Sequence, residues 1–506
     1  MGLVWNEAES EAFQNQLKTN ISVWENALST WKSAIDSATS TIGTDLKSEA
    51  VMAIATLFRD RILTIVDTGQ RACTWTKEHL TTYATAEAQL SELGKYFEED
   101  ALQVASDKLN EDLVYWDTFA QANGPWGGDL YLKKLRLAQD TQKQLDTLRY
   151  FSASVSSLFS EEFSLRGTLS AAIDSVRKGT MSQGVYTPGD DESWMQTLNN
   201  YLAYHAATTD PAAIAGMMRQ RLIDEGLLSE NPPDDWPHKN PDGSPDWPGD
   251  LYEDWLENAA RHHVSIDEIV KIASEQGISP ESFEVLRSFA YQVDPDGKRF
   301  YIIPTSTTPA DAMNVVLMTY IFNAGTDYAT ADDASNRNKQ NSGDGKNDFA
   351  ETPYSSTEIE RIKERQQNNA WSYEWISDTG AVMATPNGML MGVGGSGARK
   401  FESQSGGTTY GDIFLLNLDD TPDPNLTLIN TVKHGTAPLD NDLLAEGTSD
   451  RDLDRLLHHE EQHSQQWSAI GKTFGPAYLL EAAGKIGQGE YISWEQYAGL
   501  SDGGYA

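Results

Sequence analysis

The stretch Arg455-Leu-Leu-His-His-Glu-Glu-Gln-His-Ser-Gln-Gln-Trp467 sets His459 and His463 four positions apart, with Glu460 directly after the first. On a helix, side chains four residues apart lie one above the other on a single face. Two imidazoles placed that way can share one Zn2+ at about 2.0–2.1 Å. Glu460 reaches the same space without being a ligand and suits a general base. Zinc lowers the pKa of a bound water to about 7 and polarises a carbonyl, so the chemistry implied is hydrolysis of a peptide bond.

A catalytic zinc needs a third protein ligand and an open position. Downstream carboxylates available for it are Glu481, Glu490, Glu495 and Asp502. Ser493-Trp-Glu-Gln496 has the form of a capping box, which sets Glu495 on a short second helix; Glu481, eighteen residues beyond His463, is the alternative. Glu461 puts a charge where such motifs usually have none. Tyr491, Tyr497 and His434 are the side chains suited to stabilise an oxyanion, and nothing in the sequence selects among them.

The histidines must ride on a helix whose other face is buried. Leu453, Leu456, Leu457 and Trp467 supply an apolar stripe, and Ser449-Asp450 supply caps. Upstream, Gly380 to Leu418 reads as Gly-rich strands. Gly392-Val-Gly-Gly-Ser-Gly397 lacks the Lys-Ser/Thr of a phosphate loop and fits a close backbone contact instead. Tyr291-Gln-Val, Asp294-Pro-Asp-Gly297 and Phe300-Tyr-Ile-Ile303 spell a hairpin. An apolar helix covers about 310–322, and Ser355-Ser-Thr-Glu358 opens another helix as a capping box. The polar loop 332–348 lacks the ligand spacing of an EF-hand.

The first part of the chain is different in kind. Between Ala8 and Lys178 the only proline is Pro125, and apolar residues recur at helical steps, as in Phe13, Leu17, Ile21, Trp24, Leu28 and Trp31. Helices are expected over about 46–97, on to Asn123, and from Leu130 to Lys178. Asn123-Gly-Pro-Trp-Gly-Gly128 makes a turn between the last two. The fold expected is mainly α. Residues 1–180 form an elongated helical bundle, 181–305 a mainly helical middle with a Pro-rich loop at 231–249, and 306–506 an α+β domain carrying the zinc.

With 76 acidic and 38 basic residues the net charge is -38, which argues against a nucleic-acid partner. Cys73 is alone, so neither an intrachain disulfide nor a cysteine-based zinc cluster is available. The start, MGLVWNEAESEAFQ, has neither the basic nor the apolar region of a secretory signal, and no apolar run is long enough for a bilayer.

The motif, with Phe474-Gly-Pro-Ala-Tyr-Leu-Leu480, Trp494-Glu-Gln-Tyr-Ala498 and the upstream Thr409-Tyr-Gly-Asp-Ile-Phe-Leu415, resembles the zincin-like metallopeptidase domains of bacterial polymorphic toxins and related secreted proteins. The resemblance implies a strand before the motif helix and makes Glu495 the metal-binding Glu ahead of Glu481. The helical N-terminus is similar to the WXG100/LXG-like domains of type VII secretion substrates. Trp31-Lys-Ser-Ala34 stands in place of the Trp-x-Gly turn, and Tyr96-Phe-Glu-Glu-Asp100 in place of the export signal. These likenesses imply a secreted zinc metallopeptidase that is cytoplasmic before export, acting on a protein or peptide, with a small helical secretion partner or chaperone. The rival reading is a non-enzymatic secretion substrate or toxin scaffold with a structural or degenerate metal site.

Overall fold

The computed structural model describes residues 3–45, 57–155, 158–182, 185–187, 193–205, 210–326, 328, 351–393, 407–416, 423–440, 448–475, 478, 481, 493–500 and 502–503. The chain is mainly helical, with a mixed sheet in its C-terminal half. It forms two compact units: residues 1–103 with 144–217, and residues 104–143 with 218–506. These units cut across the segments 1–180, 181–305 and 306–506, because one helical element passes from the first unit into the second and back.

The first unit holds α1 (Glu7–Asp45), α2 (Leu63–Leu93), both ends of α3 (Glu99–Val155), α4 (Ser160–Lys178), the antiparallel pair β3 (Thr180–Ser182) and β4 (Val185–Thr187), α5 (Ser193–His205) and the start of α6 (Pro211–Asp224). Ile21, Leu28 and Ile35 of α1 close on Val66 and Cys73 of α2. The apolar stripe is therefore narrower than the sequence implied: Trp24 and Trp31 remain exposed. The helix expected through Phe97 stops at Leu93. Tyr96–Glu98 (β2) instead pairs antiparallel with Val4–Asn6 (β1), and Phe97 stacks on Trp5 at 5.8 Å. That pairing buries both rings and satisfies backbone groups of residues 4–6 that no helix would engage. The helix expected from Leu130 to Lys178 is likewise divided, ending at Val155 and resuming at Ser160.

A straight helix of α3's 57 residues would extend about 85 Å. Yet Arg149 pairs with Glu99 at 2.9 Å, and Ser106 donates to Gln142 at 2.8 Å. Both pairs are centred near position 124, so the two arms of α3 that flank it run antiparallel. The turn expected at Asn123-Gly-Pro-Trp-Gly-Gly128 falls between those arms, among residues 114–132, whose side chains lie outside the described ones.

The second unit is built on a six-stranded sheet of β5 (Tyr291–Val293), β6 (Arg299–Ile303), β7 (Ala381–Ala384), β8 (Leu390–Val393), β9 (Gly407–Tyr410) and β10 (Ile413–Leu416). Its order is β5-β6-β7-β8-β10-β9, with only the β8–β10 pair parallel. The expected hairpin is β5–β6: the Asp294 carboxylate accepts from Asp296 N and Lys298 N, and Gly297 takes φ 92. Gly392 lies inside β8, where a Cβ would stand 2.9 Å from Thr379, so the glycine there serves close packing. The strand expected over Thr409–Leu415 is instead a reversal between β9 and β10. Gly411, at φ 60, makes the turn against Ser372, where a side chain would collide.

Helices cover the sheet: α7 (Asp250–Arg261), α8 (Ile266–Gln276), the short α9 (Glu284–Arg287), α10 (Pro309–Asn323), α11 (Ser356–Asn368), α12 (Pro424–His434), α13 (Leu453–Ile470) and α14 (Ser493–Ala498). Beyond its exposed first turn the apolar helix α10 is largely buried from Val315 to Asn323, as its composition requires. At α11, Ser355 accepts from Glu358 N, but the Glu358 carboxylate turns to Arg361, so only half of the expected box forms. Among the described residues no helix is long and apolar enough to cross a membrane.

Candidate metal centre

Three features fix the helix that carries the histidines. Asp452 caps α13 by accepting from Arg455 N at 3.0 Å. Ser449 and Asp450, the caps expected from sequence, pair instead with Thr436–Asp440 (β11) as part of Thr448–Asp452 (β12). Leu453, Leu456 and Leu457 pack into the core beneath the sheet, with Met383, Met391 and Phe414. The C-terminal half of α13 is held from the other side, where Trp467 meets Phe474, Trp494, and Leu113, Leu135 and Ala138 of the α3 hairpin. Asn110 of the same hairpin donates to Ala469 O at 2.9 Å.

On this helix His459, His463 and Glu495 of α14 come together, all buried. Their nearest atoms form a triangle: His459 Nε2 to His463 Nε2 is 3.1 Å, and Glu495 Oε2 lies 3.2 and 3.4 Å from the two nitrogens. A tetrahedral ion with ligands at about 2.0–2.1 Å holds them roughly 3.3–3.4 Å apart. The ring tautomers follow from the outer contacts. His459 Nδ1 donates to Gly499 O at 2.9 Å, since a carbonyl can only accept. Gln466 donates its amide to Trp494 O, which leaves Oε1 to accept from His463 Nδ1 at 2.8 Å. In the neutral rings both Nε2 atoms then present lone pairs to each other and to a carboxylate oxygen. Three buried lone-pair atoms at such separations repel unless a cation stands among them. The donor set fits zinc.

The electrostatics agree. Burial opposes charging His459, yet Glu495 and Glu460 outweigh it and push its pKa up to about 9. For Glu495, burial raises the pKa, but the two imidazoles prevail and hold it well below the usual carboxylate range. Without metal, the pocket therefore takes a proton as its cation. A folded-state pKa raised from 6.5 to about 9 gives stability that is full below 6.5 and is lost as pH rises through about 9. A zinc ion entering the triangle would have to displace that proton. Its affinity is expected to climb about tenfold per pH unit across that window, beyond any change in the buffer control. A competition titration against a chelating dye measures this, and a flat affinity would contradict it.

Glu460 lies beside the triangle, on the side of β9. Its Oε2 accepts from Thr409 Oγ1 at 2.7 Å, and Trp467 Nε1 donates to Thr409 O at 2.7 Å. Burial raises the Glu460 pKa against the pull of both histidines. A carboxylate held above the usual carboxylate range accepts a proton more readily than an exposed one, as a general base must.

Other sequence candidates lie elsewhere. Asp502 pairs with His458 at 3.0 Å and Arg455 at 2.9 Å, which engages it apart from the three donors. Glu481 is buried but is not one of them. His434 is exposed and donates to Asn430 O at the end of α12. Tyr497 stacks under Lys143. Glu490, Tyr491 and the polar loop 332–348 lie outside the described residues. A second acidic group, Asp294, Asp296 and Asp454, carries its own cation: the buried Lys298 ammonium is 2.8 Å from Asp454 and 3.4 Å from Asp294.

Glu461, anomalous in the motif, points away from the histidines. It pairs with Arg361 at 2.6 Å and Arg365 at 3.4 Å and accepts from Tyr328. Burial raises its pKa, but the two guanidiniums outweigh that and hold it below the usual value. Sequence reasoning missed these arginines, and it missed Gln466 and Tyr478 as partners of the ligands. Gln466, three residues after His463, was accessible from helical spacing alone. No protein-family profile, curated protein or solved structure matches the chain.

Proposed function

We propose that this protein is a zinc-dependent peptidase of zincin-like architecture, with His459, His463 and Glu495 as ligands and Glu460 as general base. The observation that carries the reading is the buried triangle of three lone-pair atoms. Three donors among the described residues favour a catalytic over a structural site, since structural zinc is closed by four. A zinc ion held there would polarise a peptide carbonyl and lower the pKa of water to about 7. Glu460 would accept the proton of the attacking water and return it to the leaving amine, and Thr409 would keep its carboxylate aimed. β9, outermost in the sheet order among the described residues, offers backbone groups along which an extended peptide could lie. Secretion by a type VII-like route belongs to the same proposal and is supported by the resemblance of the helical N-terminal half.

Elemental analysis tests it on protein purified without chelator, beside a His459→Ala/His463→Ala variant. About one zinc per chain is expected in the wild type and none in the variant. Wild-type protein that takes up no metal, even after zinc is added back, would overturn the reading.

A further inference from the structure

The two oxygens of Glu495 have different surroundings. Oε2 faces both histidine nitrogens, while Oε1 accepts from the Tyr478 hydroxyl at 2.5 Å. Tyr478 comes from a separate part of the chain, seventeen residues before Glu495, and its ring lies beside His463 at 6.5 Å and Phe474 at 6.0 Å. Phe474 is in turn wedged between Trp467 at 4.9 Å and Trp494 at 5.0 Å. The phenol is therefore held by an aromatic stack that also flanks the ligands, so its direction is set by packing.

We infer that Tyr478 is a positioning residue that holds Glu495 as a one-oxygen metal ligand. The inference rests on the zinc reading above. A carboxylate beside a cation can offer one oxygen or both, and both lie within reach once the side chain rotates. A short phenol hydrogen bond occupies one of the second oxygen's two lone pairs and draws on its negative charge, so it competes with the metal for that oxygen. One oxygen then goes to the metal and one to the phenol. With two histidines this makes three ligand atoms, and a further coordination position stays open beside Glu460. Without the phenol, Oε1 loses the donor it has among the described residues, and turning to the metal is its nearest compensation. Tyr478 thus does for Glu495 what Gln466 and Gly499 do for the imidazoles: each uses the ligand's far atom to fix its near one.

Cobalt(II) reports coordination number through its visible absorption, which is strong in four-coordinate sites and weaker in five-coordinate ones. The experiment loads metal-free full-length protein with Co2+, as wild type and as Tyr478→Phe, and titrates both with zinc against a chelating dye. The Phe variant keeps the ring and its stack, and a Tyr478→Leu variant checks the contribution of the ring alone. Wild type is expected to give the intense four-coordinate spectrum. In Tyr478→Phe the band should weaken towards the five-coordinate form, with zinc affinity about 10-fold lower. Cobalt bound by both proteins with the same spectrum would overturn the inference and leave the metal site standing, even if affinity fell. A wild-type protein that binds neither metal would overturn both together. Tyr478→Leu that alone alters the spectrum, with Tyr478→Phe unchanged, would assign the effect to packing and also overturn the role of the hydroxyl.

Discussion

Replacing Glu460 with Gln is expected to leave the zinc content at about one per chain and to lower peptide hydrolysis by about 10²–10⁴-fold in kcat. The substitution exchanges one carboxylate oxygen for an amide at constant shape, and the side chain is buried. Burial already raises the Glu460 pKa, so a neutral isostere relieves desolvation and the fold is not harmed. Thr409 can still donate to the remaining oxygen. The three ligand atoms belong to other residues and stay in place. Activity and metal content therefore separate, which a ligand substitution cannot achieve. Kinetics on zinc-reconstituted protein, with metal measured in the same sample, checks it. A Glu460→Gln variant working at the wild-type rate would remove Glu460 from the mechanism.

The second large effect concerns stability. Arg365→Met is expected to cost about 3–5 kcal/mol, because it strands charges that the guanidinium neutralises in the interior. Arg365 is buried and stands 3.3 Å from Asp412 and 3.4 Å from Glu461, while it also donates to Asn387 O and to Gly388 O. Asp412 accepts from Asn369 at 3.0 Å and from Ser464, the residue after His463. The loss is thus transmitted to the helix that holds the ligands, and zinc affinity should fall with the denaturation midpoint. Adding Glu461→Met should recover part of the loss, since the pair then leaves together. Denaturant titrations of single and double variants decide it: a single variant with an unchanged midpoint would refute the account.

How much of this was legible beforehand depends on how local each signal is. The pairing of His459 with His463 follows from helical geometry alone, and the start of a short helix at Ser493 brought Glu495 forward from among the downstream carboxylates. Contacts between distant segments were not visible. Glu461 looked like a defect in the motif until Arg361 and Arg365, about a hundred residues earlier, were found to neutralise it. Tyr478 was part of a recognised stretch, yet its role depends on where Glu495 ends up. The same holds for β9 and β10, where the resemblance implied one strand and the crowding around Ser372 makes Gly411 reverse the chain. Trp24 and Trp31 fell on a helical period and still stayed outside, since a repeat of apolar residues does not say how many neighbours a helix has.

The hydrogen bond from Asn110 to Ala469 spans 359 positions of sequence. That separation sets a timetable. A ribosome adding about 5–20 residues per second needs roughly 20–70 s to travel from one partner to the other. During that interval Leu113, Leu135 and Ala138 have been made, while the tryptophans and phenylalanine they cover do not yet exist. The histidines emerge beside those aromatics, and Glu495 follows them. The centre is consequently assembled long after the hairpin that shelters it, and a chain cut short anywhere before Glu495 carries the shelter without the ligand set it shelters.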